Sequence, residues 1–188
     1  KKLGKVSVRA GVCDGFIGNR ILAVYRTAAD HMILDGATPF QIDEALEAFG
    51  FAMGPYAVGD LAGLDIGWAV RKRRRAEGMD PRARDASFAD RLCEDGNFGQ
   101  KTGKGYYIYE KGSRTRTPNP EVLDHIDKER AEKGITPKAF SADEIVRRYM
   151  AAMVNEAAKV VGGQMRRDEV WRVIAALLGH WSLRGYGY

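Results

Sequence analysis

Cysteine and histidine are scarce in this chain, with two of the first and three of the second in 188 residues. Cys13 and Cys93 are too few for a disulfide framework, and no C-x-x-C or H-x-x-x-H spacing is present to ligate a metal. Both thiols read as reduced and structural. Long apolar runs are missing too. None approaches the roughly 20 residues that cross a bilayer, and the basic opening KKLGKVSVRAG has no apolar stretch of the secretory-signal kind. These absences give the expectation of a cytoplasmic protein with no membrane partner.

A nucleotide-binding glycine motif is also absent. The string Gly99-Gln100-Lys101-Thr102-Gly103-Lys104-Gly105 comes nearest, but three residues separate its first two glycines and Gly105 follows Lys104 where a P-loop needs Ser or Thr. The Rossmann pattern fails for want of a third glycine at the right spacing. Tyr106-Tyr107-Ile108-Tyr109 then reads as a β-prone, extended segment rather than a helix. No zinc-finger, homeodomain or RRM signature occurs, so no nucleic-acid partner is expected.

What is present is an ordinary soluble composition, 45% hydrophobic and 29% charged, in a chain long enough for one domain or two small ones. The net charge is +5. Cations concentrate in Arg71-Lys72-Arg73-Arg74-Arg75, with a second group at Lys101, Lys104, Lys111, Arg114 and Arg116. Five consecutive cations could engage phosphates, as in a basic binding or assembly module for polyanions. A solvated helix end whose cations complement the helix dipole is the simpler reading.

Periodicity predicts helices throughout. Ile17, Ile21, Val24, Tyr25, Ala28 and Met32 recur at three- and four-residue steps over 16–34, with Leu22, Ala29 and Ile33 widening the stripe. Thr38-Pro39-Phe40-Gln41 supplies a capping box with proline at the first helical position. Further helices are expected over 57–61 and 66–75, separated at Gly63, and from a Ser87 cap through Cys93. The polar stretch 110–120 reads as a linker, and helical signals resume at Glu121. Ser141-Ala142-Asp143-Glu144 opens a long helix through Ile145, Tyr149, Met153, Ala157 and Val160. Within it Asn155-Glu156 reads as helix surface or an interhelical hydrogen bond.

Asn19, in Gly15-Phe16-Ile17-Gly18-Asn19-Arg20 at the start of the first helix, is the candidate chemical residue. A neutral amide donates to a carbonyl or accepts from a hydroxyl without competing for the proton that an acid or base must move. Spacing alone favours an ordinary capping or helix-surface Asn. Asp30-His31 diverge on a helix and receive no catalytic role.

Four landmarks occur in order: GFIGNR, the acidic Ile42-Asp43-Glu44 turn, AMGPYAVGDLAGLD and GQKTGKGYY. Together they resemble the helical C-terminal domain of 3-hydroxyacyl-CoA dehydrogenases, especially the multifunctional fatty-acid oxidation type, over about residues 5 to 110. The resemblance implies an all-α helical bundle with a partial second copy, because RILAVYRTAADHMILDGA can be set against RRYMAAMVNEAAKVVGGQ. It implies that Asn19 is catalytic and touches an acyl-CoA substrate near the reacting carbon, and that Arg184 is a further substrate contact. It also implies NAD as the cofactor of the complete enzyme, held mainly by a Rossmann domain outside this sequence. The expected layout is 1–13 as a remnant of that domain, 14–110 as the first helical domain, 111–140 as a linker with a short helix and 141–188 as a partial second repeat. The expected partners are acyl-CoA and the Rossmann domain, with a second copy of the chain as a further candidate, and the isolated chain is expected to be inactive.

Overall fold

The computed structural model describes residues 11–78, 83–110 and 115–164. Five helices come first: α1 (Gly18–Asp35), α2 (Pro39–Phe49), α3 (Pro55–Ala62), α4 (Leu64–Glu77) and α5 (Phe88–Glu94). A short 3-10 turn (Gln100–Thr102) leads to the strands β1 (Tyr107–Tyr109) and β2 (Arg116–Pro118), followed by α6 (Glu121–Glu132) and α7 (Ala142–Gln164). The fold is mostly helical, as the resemblance implied, with one minor hairpin. β1 and β2 are antiparallel, with Tyr107 opposite Pro118 and Tyr109 opposite Arg116, so the stretch read as a linker contains a strand that folds back on β1.

Local chemistry explains most boundaries. The Thr38 hydroxyl accepts from the Gln41 amide at 3.1 Å, and the Gln41 side chain returns the bond to Thr38 N–H at 3.0 Å. This is the capping box expected at α2. Gly63, at φ +100, parts α3 from α4 where the sequence placed the break. Ser87 precedes α5, but its side chain makes no cap bond. Its N–H is instead held by the Glu129 carboxylate at 2.8 and 3.0 Å. A carboxylate from α6 thus serves this helix start, a partner that local sequence could not reveal.

One core runs through the whole assembly. Ile21, Ala29, Met32, Ile33 and Leu34 of α1 are buried, and the stripe Ile145, Tyr149, Met153, Ala157 and Val160 of α7 packs along α1 and α2. Tyr149 lies 4.8 Å from the Tyr25 ring and 5.6 Å from that of Phe51, centroid to centroid. Residues 142–160 therefore share the core of the first helices. Such aromatic pairs add roughly 0.5–1.5 kcal/mol beyond their area burial.

The approach to α7 crosses the end of α1 at Gly36. This residue sits at φ +136, and a Cβ there would meet the carbonyl oxygen of Lys138 at 2.1 Å. Lys138 N–H meanwhile bonds Asp35 O at 2.8 Å. Gly36→Ala forces apart two packed backbones and is expected to cost about 2 kcal/mol or more. A lowered urea midpoint checks this.

Candidate functional site

Asn19 is the second residue of α1 and is exposed. Helix α1 starts two residues later than periodicity predicted because Gly15 and Phe16 take left-handed conformations, φ +78 and +51. Phe16 N–H bonds Cys13 O at 3.1 Å and Arg20 N–H bonds Gly15 O at 3.3 Å, closing a tight turn against the helix. A left-handed aromatic residue is a costly conformation that persists only where its surroundings enforce it. Gly15 is required here twice over, since its Cβ would lie 2.7 Å from Arg20 N.

The N-cap of α1 is Ile17, which offers no side-chain cap, and the first turn has no acidic residue. Asn19 lies inside the helix rather than at the cap, so of the two simpler readings the capping one does not describe it and the helix-surface one does. Phe16 and Leu22, three residues to either side of it, are 58% and 41% exposed. A shallow cleft of about 270 Å³ adjoins this turn, lined by Asp14, Arg20, Ala23, Val24, Thr27 and Arg74. That is below the roughly 300–1,000 Å³ of sites that enclose a small ligand. Among the described residues, this region is a wall rather than a chamber.

The remaining landmarks build a buried polar lattice that supports this wall. Asp43 of α2 accepts from Tyr56 N–H and Ala57 N–H, both at 2.9 Å, and from the Tyr107 hydroxyl at 2.8 Å. It thereby satisfies the open start of α3 from another helix. Asp60 accepts from Tyr106 N–H at 3.0 Å, Tyr107 N–H at 2.9 Å and the Tyr109 hydroxyl at 3.1 Å. Arg26 links the two ends: it donates to Pro55 O at 2.7 Å and the Tyr106 hydroxyl at 3.1 Å, and stands 4.1 Å over the Tyr56 ring. The glycines leave room for these carboxylates. A Cβ on Gly54 would meet Asp43 Cγ at 2.2 Å, and one on Gly105 would meet Asp60 Oδ1 at 2.2 Å.

Burial pushes the Asp43 carboxyl upward and that of Asp60 up to about 6, only partly offset by their donors. A folded value above the unfolded 3.8 means that the stabilising contribution of Asp60 is full below that pH and is lost as pH rises through about 6. Stability is therefore expected to rise from pH 7 to pH 5 through this group. Denaturation curves at the two pH values should show a smaller difference in Asp60→Asn.

The basic run does not stand free. Arg71 pairs with Asp90 at 2.5 Å, Arg75 with Asp90 and with Asp85 at 2.9 Å, and Arg73 with Asp14 at 2.7 Å, while Lys72 lies 3.6 Å over the Trp68 ring. In the second group Lys101 meets Asp65, Lys104 meets Glu121 and Arg116 meets Glu47. Lys111 and Arg114 lie outside the described residues, as does Arg184, so Asn19 and Arg184 are not seen together. His31 bonds Arg84 O at 2.9 Å while Asp30 bonds Arg26 and Tyr56, so that adjacent pair does diverge. Sequence reasoning missed a different pairing: His125 of α6 lies 3.0 Å from Asp95, across 30 residues of chain. Cys93 is buried, and burial pushes its thiol up to about 11, as suits a structural cysteine.

The fold is thus a helical domain with a minor hairpin, presenting one amide from a strained helix start. The dehydrogenase part of multifunctional enzyme 1 from C. elegans shares the fold, with TM-score 0.63 and 24% identity over 92% of this chain and 44% of that one. The family model for the 3-hydroxyacyl-CoA dehydrogenase C-terminal domain matches residues 15–109. The chain belongs to that family.

A peroxisomal bifunctional enzyme of Danio rerio is 43% identical over 172 residues, 86% of this chain. A peroxisomal fatty acid beta-oxidation multifunctional protein of Arabidopsis thaliana is 39% identical over 186 residues, 95% of this chain. The chain spans 24% and 25% of the lengths of these two relatives. The resemblance to multifunctional fatty-acid oxidation enzymes is thereby borne out. The cytoplasmic expectation is corrected, because these relatives are peroxisomal. Its grounds were the absence of an apolar span and of a secretory stretch. Peroxisomal import is directed by a receptor-read address, so neither absence bears on it.

Proposed function

We propose that this chain is the substrate-facing helical part of an NAD-dependent 3-hydroxyacyl-CoA dehydrogenase of fatty-acid β-oxidation, and that Asn19 binds the 3-oxygen of the acyl thioester. The observation that carries this reading is an exposed amide on the first turn of α1, between the exposed Phe16 and Leu22 and beside an enforced left-handed turn. A cleft wall that closes against another domain has this character.

In the reaction, C3 gives up a hydride and O3 a proton as the alcohol becomes a ketone, and negative charge develops on O3. The Asn19 amide N–H donates to that oxygen and stabilises the charge most in the transition state. Being neutral, it leaves the proton to another base. Among the described residues the glycine string at 99–105 does not fit a dinucleotide: it packs against Asp60 and leads into β1. A cofactor-binding domain outside this sequence is the proposed holder of NAD, and the isolated chain is expected to form no NADH.

The paired cations weigh against the alternative polyanion-binding module. The test is NADH formation from a 3-hydroxyacyl-CoA by the chain assembled with its cofactor-binding domain, wild type against Asn19→Ala at saturating NAD. Wild-type activity with an unaffected variant would remove Asn19 from the chemistry, and no activity in either would remove the dehydrogenase reading.

A further inference from the structure

Asn19 stands on a turn that does not hold itself in position. It has no side-chain cap and no first-turn carboxylate, and two successive left-handed residues precede it. We infer that the Arg20–Glu156 ion pair fixes this turn, so that Glu156 of α7 is a positioning residue for Asn19. The inference rests on the reading of Asn19 given above.

Arg20 directly follows Asn19. Its Nε donates to Glu156 Oε1 at 2.6 Å, and its backbone N–H donates to Gly15 O at 3.3 Å. The Cys13 thiol donates to Phe16 O at 3.1 Å. One residue thus ties the left-handed turn, the first turn of α1 and α7 together. The Glu156 side chain is only 8% exposed, against 27% for Arg20, and its other cation, Lys159, stands 3.6 Å away and 70% exposed. A carboxylate with so little solvent depends on its partner's geometry, because an unpaired buried charge is costly.

The apolar contacts between α1 and α7, such as Tyr25 on Tyr149, bring the helices together but do not set a direction. The ion pair does, one residue from the amide whose aim matters. A displacement of about 1 Å at a reacting centre can cost a hundredfold in rate. Glu156 also lies outside residues 15–109, which the family model matches.

The test is a double-mutant cycle on the dehydrogenase assembled with its cofactor-binding domain, measured as kcat and KM for 3-hydroxybutyryl-CoA. Glu156→Ala is expected to lower kcat about tenfold with KM little changed, and to have no further effect in the Asn19→Ala background. If Asn19→Ala costs turnover but Glu156→Ala does not, or if the two losses multiply, the inference is overturned alone. If Asn19→Ala costs nothing, the reading of Asn19 falls and takes the inference with it. Helix content by circular dichroism accompanies each variant. Should Glu156→Ala unfold, Arg20→Lys, which keeps the charge but loses the guanidinium's Nε–H donor to Glu156, enters the same cycle with the same expected outcomes.

Discussion

Asn19→Ala is expected to lower turnover of 3-hydroxyacyl-CoA roughly a hundredfold, about 2.7 kcal/mol of transition-state stabilisation, the size of losing one preorganised donor. The loss should fall on kcat more than on KM, because the bond strengthens as charge builds on O3 rather than in the ground state. The side chain is exposed, so its truncation opens no cavity, and thermal stability should change little. Asn19→Asp separates chemistry from a helix-surface role. An acidic residue in the first turn favours the helix's positive end. In the active site it replaces a donor with a negative charge facing a developing negative charge. Turnover at or below that of the Ala variant is therefore expected. An active Asp variant would mean that the residue serves the helix and not the substrate.

Asp43→Ala is expected to be the most damaging substitution for folding. The carboxylate is 1% exposed and is the acceptor for Tyr56 N–H, Ala57 N–H and the Tyr107 hydroxyl. Removing it strands two backbone donors at the start of α3 and a buried hydroxyl, each costing about 1–3 kcal/mol when left unsatisfied. Because the three share one site and water can enter the space, a net loss of about 3–5 kcal/mol is expected. For a domain of this size that lowers Tm by roughly 6–20 °C. Asp43→Asn keeps the shape and one acceptor oxygen, and should lose about half as much. Thermal unfolding followed by circular dichroism checks both. An unchanged Tm in Asp43→Ala would mean that the lattice does not hold α3 in place.

The lattice also explains how much of the fold was legible. The landmarks around Asp43, Gly54-Pro55-Tyr56, Asp60 and Gly105-Tyr106-Tyr107 occur together because each is the steric or hydrogen-bonding complement of another. Their order in the chain could be read, and with it the family. Their pairing could not be read, because nothing in the spacing from Asp43 to Tyr107 says that one hydroxyl reaches the other's carboxylate. Helices with apolar stripes and local caps, such as α2, were likewise readable. The start of α1 was not, since the left-handed Phe16 runs against the preference of an aromatic residue. Ser87 read as a cap and proved to be one half of a contact with Glu129.

By itself the sequence determined that the chain is helical, where most helices begin and end, which family it resembles and that Asn19 stands near a helix start. These follow from interactions within a few residues: periodic burial, capping, and the conformational limits of proline and glycine. Only the tertiary structure decided that α7 shares the core of α1, that Arg71 and Arg75 of the basic run pair with Asp90, and that Glu156 meets Arg20 across 136 residues. Charge and hydrogen-bond partners are chosen by proximity in space. In a packed helical core, proximity is set by which apolar faces meet, not by distance along the chain.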